Sequence, residues 1–201
     1  VRPFKFNLDE NNLFFWGCLH LNHNPQWEVP LWKMRGFNSV KEHNEVIENN
    51  WKMSLNNESI IFLLGDTSFG YDAEQYMNDF FNRVPFKECY WMSGNHTAGW
   101  NQFLDKSDIN SQVRISEKTI QLIPNYAEIV INDTKIVACH YPIISWNGHA
   151  RGSYMVHAHV HGTLENSDIG KLLYRSKIKE VSIEKQAHPL SVRQLKEYFN
   201  K

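Results

Sequence analysis

The chain has 201 residues, 42% of them apolar, enough for the core of one domain spanning 1–201. Its 21 Lys and Arg nearly balance 22 Asp and Glu, a formal net charge of -1 that gives no sign of a polybasic surface for nucleic acid or anionic membrane. No apolar run is as long as a bilayer span, Val1–Leu8 lacks the form of a signal peptide, and the three scattered cysteines (Cys18, Cys89, Cys139) argue against a disulfide framework; a reducing, cytoplasmic setting is expected.

Leu13–Trp16 is a short apolar strand that runs into Gly17-Cys18-Leu19-His20. Ser39 followed by Glu42 has the form of a capping box and opens a helix through about Met53. Val40, Val46, Ile47 and Trp51 give that helix a partial apolar face, and His43 is assigned to its solvated side with no role. Ser59–Leu64 is a continuous apolar run ending in Gly65-Asp66, as suits a strand buried on both faces. Asp72–Val84 is amphipathic, with Tyr76, Phe80 and Phe81 at helical spacing. Glu88–Met92 reads as a strand ending in Ser93-Gly94-Asn95-His96, and Thr97 to Pro124 as loops and a short helix on the rim of a site. Ile120–Ile131 and Thr134–Cys139 read as strands either side of an Asn132-Asp133 turn. Tyr154–Val160 alternates like a strand, which would point His159 and His161 the same way, and Ser191–Phe199 reads as a terminal helix. This mixture predicts an α/β fold with a layered sheet core and helices outside.

The polar residues fall at the strand ends. Four predicted strands end in Cys18-x-His20, Gly65-Asp66, Gly94-Asn95-His96 and His140, and a fifth carries His159-x-His161. A rigid sheet can converge such groups on one point while the loops vary. Five of the ten histidines lie between His140 and His161. Taken singly, Asp66 reads as a turn residue, Asn95 as a cap and His140 as a buried, hydrogen-bonded histidine. Taken together, the residue types match the ligand chemistry of a borderline metal such as Mn, Fe, Zn, Co or Ni rather than Mg or Ca.

The order "CLH", "GD", "GNH", "HYP" and "AHVH" resembles the calcineurin-like metallophosphoesterase superfamily, which reads D-x-H, G-D, G-N-H, a lone H and G-H-x-H. The stretches "RGFNSVKEHNEVIENNW" and "HYPIISWNGHARGSY" are similar to those of its short phage and bacterial members. Two letters depart from the pattern: Cys18 stands where the family has aspartate, and Ala158 where it has glycine. The resemblance implies a four-layered α/β/β/α sandwich and two divalent metal ions, Zn, Fe or Mn, with Ni or Co as further candidates. It places Cys18, His20, Asp66 and His161 on the first metal. Asp66, Asn95, His140 and His159 fall on the second, with Asp66 bridging. His96 becomes the group that assists the leaving oxygen. The implied reaction is hydrolysis of a small phosphoester, a phosphodiester such as a nucleotide or a phosphomonoester, by metal-bridged hydroxide. It also makes a phage protein in the host cytoplasm one expected location.

Cys18 has two readings. As a thiolate it carries the charge of the missing carboxylate and selects softer metals; as a small buried hydrophobe it cripples the first position. The second reading leaves a non-catalytic binding protein that keeps the fold. Arg151 is a candidate phosphate fork or a plain surface arginine, and His149 and His23 are further candidates for the substrate side. His157 is expected to support the site or the core rather than to bind.

Overall fold

The computed structural model describes residues 2–96, 112–115 and 118–200. It is a mixed α/β structure with two mixed sheets. The strands are β1 (Phe4–Phe6), β2 (Leu13–Trp16), β3 (Ile60–Leu64), β4 (Glu88–Met92), β5 (Gln112–Ile115), β6 (Lys118–Ile123), β7 (Tyr126–Ile131), β8 (Thr134–Cys139), β9 (Tyr154–His157), β10 (Ile178–Glu180) and β11 (Leu190–Ser191). The α-helices among the described residues are α1 (Leu31–Met34), α2 (Val40–Ser54), α3 (Ala73–Arg83), α4 (Asp168–Leu173) and α5 (Val192–Phe199).

One sheet has six strands in the order β11-β2-β3-β4-β6-β5, and its central strands β2, β3, β4 and β6 are parallel. The other has five in the order β1-β7-β8-β9-β10, with β8, β9 and β10 parallel to one another. Every residue of β3 is buried, as its unbroken apolar run requires. Phe15, Phe62, Leu64 and Met92 of the first sheet pack against Ile129, Ile136, Ala138 and Val156 of the second. The opposite face of the first sheet takes Ile47 and Trp51 from α2 and Met77, Phe80 and Phe81 from α3. The opposite face of the second takes Leu173 of α4 and the segment around Trp146. Burying each large apolar side chain is worth about 1.5–3 kcal/mol, so this core outweighs considerable local strain at the strand ends.

Ser39 caps α2 by accepting from Glu42 N at 3.1 Å, but the Glu42 carboxylate reaches Asn38 N at 2.7 Å rather than closing the expected box. Ser191 and Gln194 form a complete box at the start of α5. Three expectations need correction. Ile120–Ile131 is two strands in two different sheets: Pro124, which has no N–H for a ladder, separates β6 from β7. Tyr154–Val160 stops being a strand at His157. The expected rim segment from Thr97 includes β5 and β6 in its described part; 97–111 and 116–117 lie outside the described residues. No helix among the described residues is long and apolar enough to cross a membrane, and Cys18, Cys89 and Cys139 are all free and buried.

Candidate metal centre

Because β2, β3 and β4 are parallel, their C-terminal ends share one edge, and the ends of β8 and β9 meet it from the second sheet. Backbone hydrogen bonds stitch the junction: Cys18 N to Gly65 O at 3.1 Å, His20 N to Asp66 O at 2.9 Å, and Ala158 N to His140 O at 3.0 Å. Gly17 N donates to Val181 O at 3.1 Å, which ties the first sheet to the segment after β10. A Cβ on Gly17 would lie 2.7 Å from the Ala158 methyl, so glycine at 17 is what makes room for alanine at 158.

Each strand turns sharply on leaving the sheet. Cys18 (φ 52), His20 (φ 50), Asp66 (φ 47), His159 (φ 68) and His161 (φ 47) all have left-handed backbone. Such residues cost on the order of 1 kcal/mol or more each and persist only where the surrounding packing fixes them. This corrects the expectation of His159 and His161 on one strand face: they sit on a turn after β9, and the turn aims them.

The turns bring the polar atoms together. Asp66 Oδ1 accepts the His96 backbone N–H at 2.8 Å. Asp66 Oδ2 lies 3.8 Å from His20 Nε2 and 3.5 Å from His140 Nε2. His140 Nδ1 donates to Leu64 O at 2.7 Å, which leaves Nε2 unprotonated and facing the centre. Asn95 Oδ1 is 2.8 Å from both His140 Nε2 and His159 Nδ1. Cys18 Sγ accepts the His159 N–H at 3.1 Å. The ligand atoms of Cys18, His20 and His161 lie within 4.8 Å of one another, as do those of Cys18, Asp66 and His140. Seven candidate ligands thus converge, with His96 beside them, its ring 5.6 Å from that of His20.

His20 is the informative residue. It is 2% exposed, yet neither of its ring nitrogens has a hydrogen-bond partner among the described residues. Leaving a buried polar group unpaired costs about 1–3 kcal/mol, so a bound cation is the natural partner. Burial, then Arg35 and the neighbouring histidines, holds His20 well below the usual histidine range. Burial likewise lowers His140, against the pull of Asp66, and His159. Neutral imidazoles are what a metal requires. Burial and the Asp66 charge push the Cys18 thiol well up, while the His159 N–H and Arg35 pull it down. A cation in the centre would turn that balance toward thiolate.

Three residues that support the centre were not identified from sequence. His161 Nδ1 donates to Glu184 Oε1 at 2.7 Å, which turns Nε2 toward the centre. Arg35 donates to Glu184 Oε1 at 2.9 Å, to Cys18 O at 2.8 Å and to Leu19 O at 2.9 Å, so one guanidinium holds both the carboxylate and the first turn. Burial pushes the Glu184 carboxyl up, but the His161 hydrogen bond and Arg35 outweigh it and hold it below the usual range. His43, expected in solvent, is fully buried: its Nε2 accepts from Arg35 at 2.7 Å and its Nδ1 donates to Asn44 at 3.1 Å. Burial, then Arg35, lowers its pKa to about 4, consistent with a neutral acceptor. His43, Ile47 and Trp51 recur at i, i+4 and i+8, a signal of the buried face that was present in the sequence. Nothing in the sequence ties Arg35 to Glu184.

The other candidates stand apart. His23 is buried behind His20, ring centroids 5.7 Å apart, and accepts from Leu31 N at 3.2 Å. His157 is buried on β9, donating to Ala158 O at 2.9 Å and lying 3.2 Å from the Tyr174 hydroxyl. Arg151 lines a surface hollow with Thr134, Lys135 and Tyr154, the starting ends of β8 and β9, so it is not brought to the centre. His149 stacks on Trp146 at 3.9 Å and lies 3.0 Å from Ser176 Oγ, at the same far end.

The fold is similar to the crystal structure of the protein of unknown function AQ665 from Aquifex aeolicus, with a TM-score of 0.65 and 17% identity over 92% of this chain and 98% of that one. At that identity the likeness concerns the fold alone. No protein-family model matches the chain, and no curated protein matches it significantly.

Proposed function

We propose that the chain is a dinuclear metal-dependent phosphoesterase of the calcineurin-like kind. The observation that carries this reading is the orphaned His20 ring, buried where Cys18, Asp66 and His161 converge. The donor set fits the group: imidazole, carboxylate, amide oxygen and one sulfur suit Zn, Fe or Mn. Cys18, His20, Asp66 and His161 would hold one ion and Asp66, Asn95, His140 and His159 the other. Two such ions would supply charge stabilisation on the phosphoryl oxygens and lower the pKa of a bound water to about 7. The stacking of α2 and α3, the two sheets and α4 supports the α/β/β/α sandwich.

The chain's own residues do the rest. Asp66 presents one carboxylate oxygen to both histidine sets while its other oxygen fixes the 95–96 turn. Glu184 and Arg35 fix the His161 tautomer and the Cys18–His20 turn. His96 is exposed at the mouth of the centre, its backbone pinned to Asp66, so its ring is free to donate a proton to the leaving oxygen. Every guanidinium N–H that Arg35 aims at the centre is taken by the protein, and Arg151 is remote. Among the described residues neither arginine is thus placed to hold a substrate phosphate, and His96 is the exposed side chain beside the centre.

The test is metal analysis of the purified protein, combined with hydrolysis of p-nitrophenyl phosphate and bis-p-nitrophenyl phosphate. Two bound ions and turnover that chelation abolishes and metal restores support the enzyme. A protein that binds metal without hydrolysing either ester is the scaffold, its first position weakened by Cys18. Two further outcomes are expected. His96→Ala should slow turnover about 10²–10⁴-fold with metal content unchanged; metal lost in step with activity would make His96 a ligand. Glu184→Gln keeps the shape but removes the charge that orients His161, and should weaken metal affinity about 10–100-fold in competition with a chromophoric chelator. Unchanged affinity would remove Glu184 from the support of the centre.

A further inference from the structure

The two groups of converging ligand atoms have one member in common, and it is not the carboxylate. Cys18 Sγ belongs both to the set with His20 and His161 and to the set with Asp66 and His140. We propose that Cys18 is a thiolate shared by both metal positions, so that the centre has a sulfur bridge beside the Asp66 carboxylate and takes thiophilic divalent ions in preference to Mn. This rests on the metal-centre reading above and extends it: Cys18 becomes a joint ligand rather than a stand-in for one aspartate on one metal.

Three observations carry it. First, the sulfur has the bonding capacity. A thiolate has three lone pairs; the His159 N–H at 3.1 Å takes one and leaves two, one for each ion. Second, the sulfur is held in place. Arg35 fixes the Cys18 carbonyl at 2.8 Å, and the left-handed backbone at Cys18 sets the direction of its Cβ. Third, a buried ligand waits beside the sulfur. His20, two residues on and 2% exposed, has both ring nitrogens without a hydrogen-bond partner among the described residues, and it shares a ligand set with Cys18 Sγ. An ion that His20 takes up there lies within reach of the sulfur. On metal binding the S–H bond breaks, the proton passes to solvent and the sulfur electron pairs become the metal bonds; no oxidant or reductant is involved. Soft sulfur favours Zn, Cd and Co(II) over Mn.

Cobalt titration of the metal-free protein tests this directly. Sulfur-to-cobalt charge transfer gives a near-ultraviolet band distinct from the visible bands that report the histidine and carboxylate ligands. With a shared sulfur the band should grow through the second equivalent, to roughly twice its value at the first, because each ion bonds the same thiolate. Cys18→Ser should abolish the band while Cys89 and Cys139 remain, and Cys18→Asp serves the same purpose if the serine variant does not fold. A band complete at one equivalent, in a protein that takes up a second cobalt, would overturn the bridge and leave Cys18 as a terminal ligand. Two cobalt ions bound with no band would remove the sulfur altogether. Both results leave the dinuclear reading standing, whereas failure to bind two cobalt ions would remove that reading itself.

Discussion

Asp66→Asn should lower turnover by about three orders of magnitude or more, about 4 kcal/mol or more in the barrier, and should reduce metal content at both positions. Asparagine is nearly isosteric with aspartate. Its amide oxygen can keep the His96 N–H bond that Asp66 Oδ1 makes at 2.8 Å, so the 95–96 turn should survive. What changes is the other oxygen, which faces His20 Nε2 at 3.8 Å and His140 Nε2 at 3.5 Å. There an NH₂ would replace the anionic acceptor and point its hydrogens at the place where cations must sit. Among the described residues no other carboxylate belongs to the two converging ligand sets, so none of them replaces the charge. Metal analysis and ester hydrolysis on the same preparation give the check. Near-normal turnover with both metals retained would show that Asp66 does not join the two positions.

The second large effect is expected at a residue without a side chain. A Cβ on Gly94 would lie 2.6 Å from Asp66 N, 2.7 Å from Asp66 Cγ and closer still to Oδ1. Backbone cannot yield as a flexible side chain does, so Gly94→Ala must push the β3 and β4 turns apart. Overpacking of this kind typically costs about 1–3 kcal/mol, and a backbone obstacle places it at the upper end. The same displacement takes Asp66 away from both histidine sets, so activity should fall as far as it does in Asp66→Asn. Urea unfolding with metal analysis separates the two losses. Wild-type stability and metal content would mean that the turns open without cost, contrary to the packing at Gly94.

The elements that were legible in the sequence have strong local causes. The unbroken apolar run of β3 and the serine caps of α2 and α5 need no knowledge of the rest of the chain. The candidate site was legible because its polar letters cluster at strand ends. Its geometry was not: His-x-His imitates strand alternation, while the real turn depends on left-handed backbone at His159 and His161. Arg151 and His149 drew notice from their place between two ligand motifs, and the fold sets both apart from the centre. β8 and β9 are parallel, so the chain joining them must return to the starting edge before β9 begins, and residues late in that connection lie far from the strand ends. The Arg35–Glu184 pair spans 149 positions and was beyond local pattern, because only the tertiary fold joins it.

The left-handed turns also set how this protein would respond to selection. Glycine adopts such backbone without steric penalty, whereas Cys18, His20, Asp66, His159 and His161 occupy it with side chains attached. A population screened for heat resistance alone, without metal, should therefore gather glycines at these five positions and lose the centre while the fold becomes sturdier. With metal present the gradient should reverse, because an ion that binds only the folded chain rewards the residues that hold it. On the metal-centre reading, side chains at five left-handed positions on three strand-end turns trade stability of the metal-free chain for a place to hold an ion.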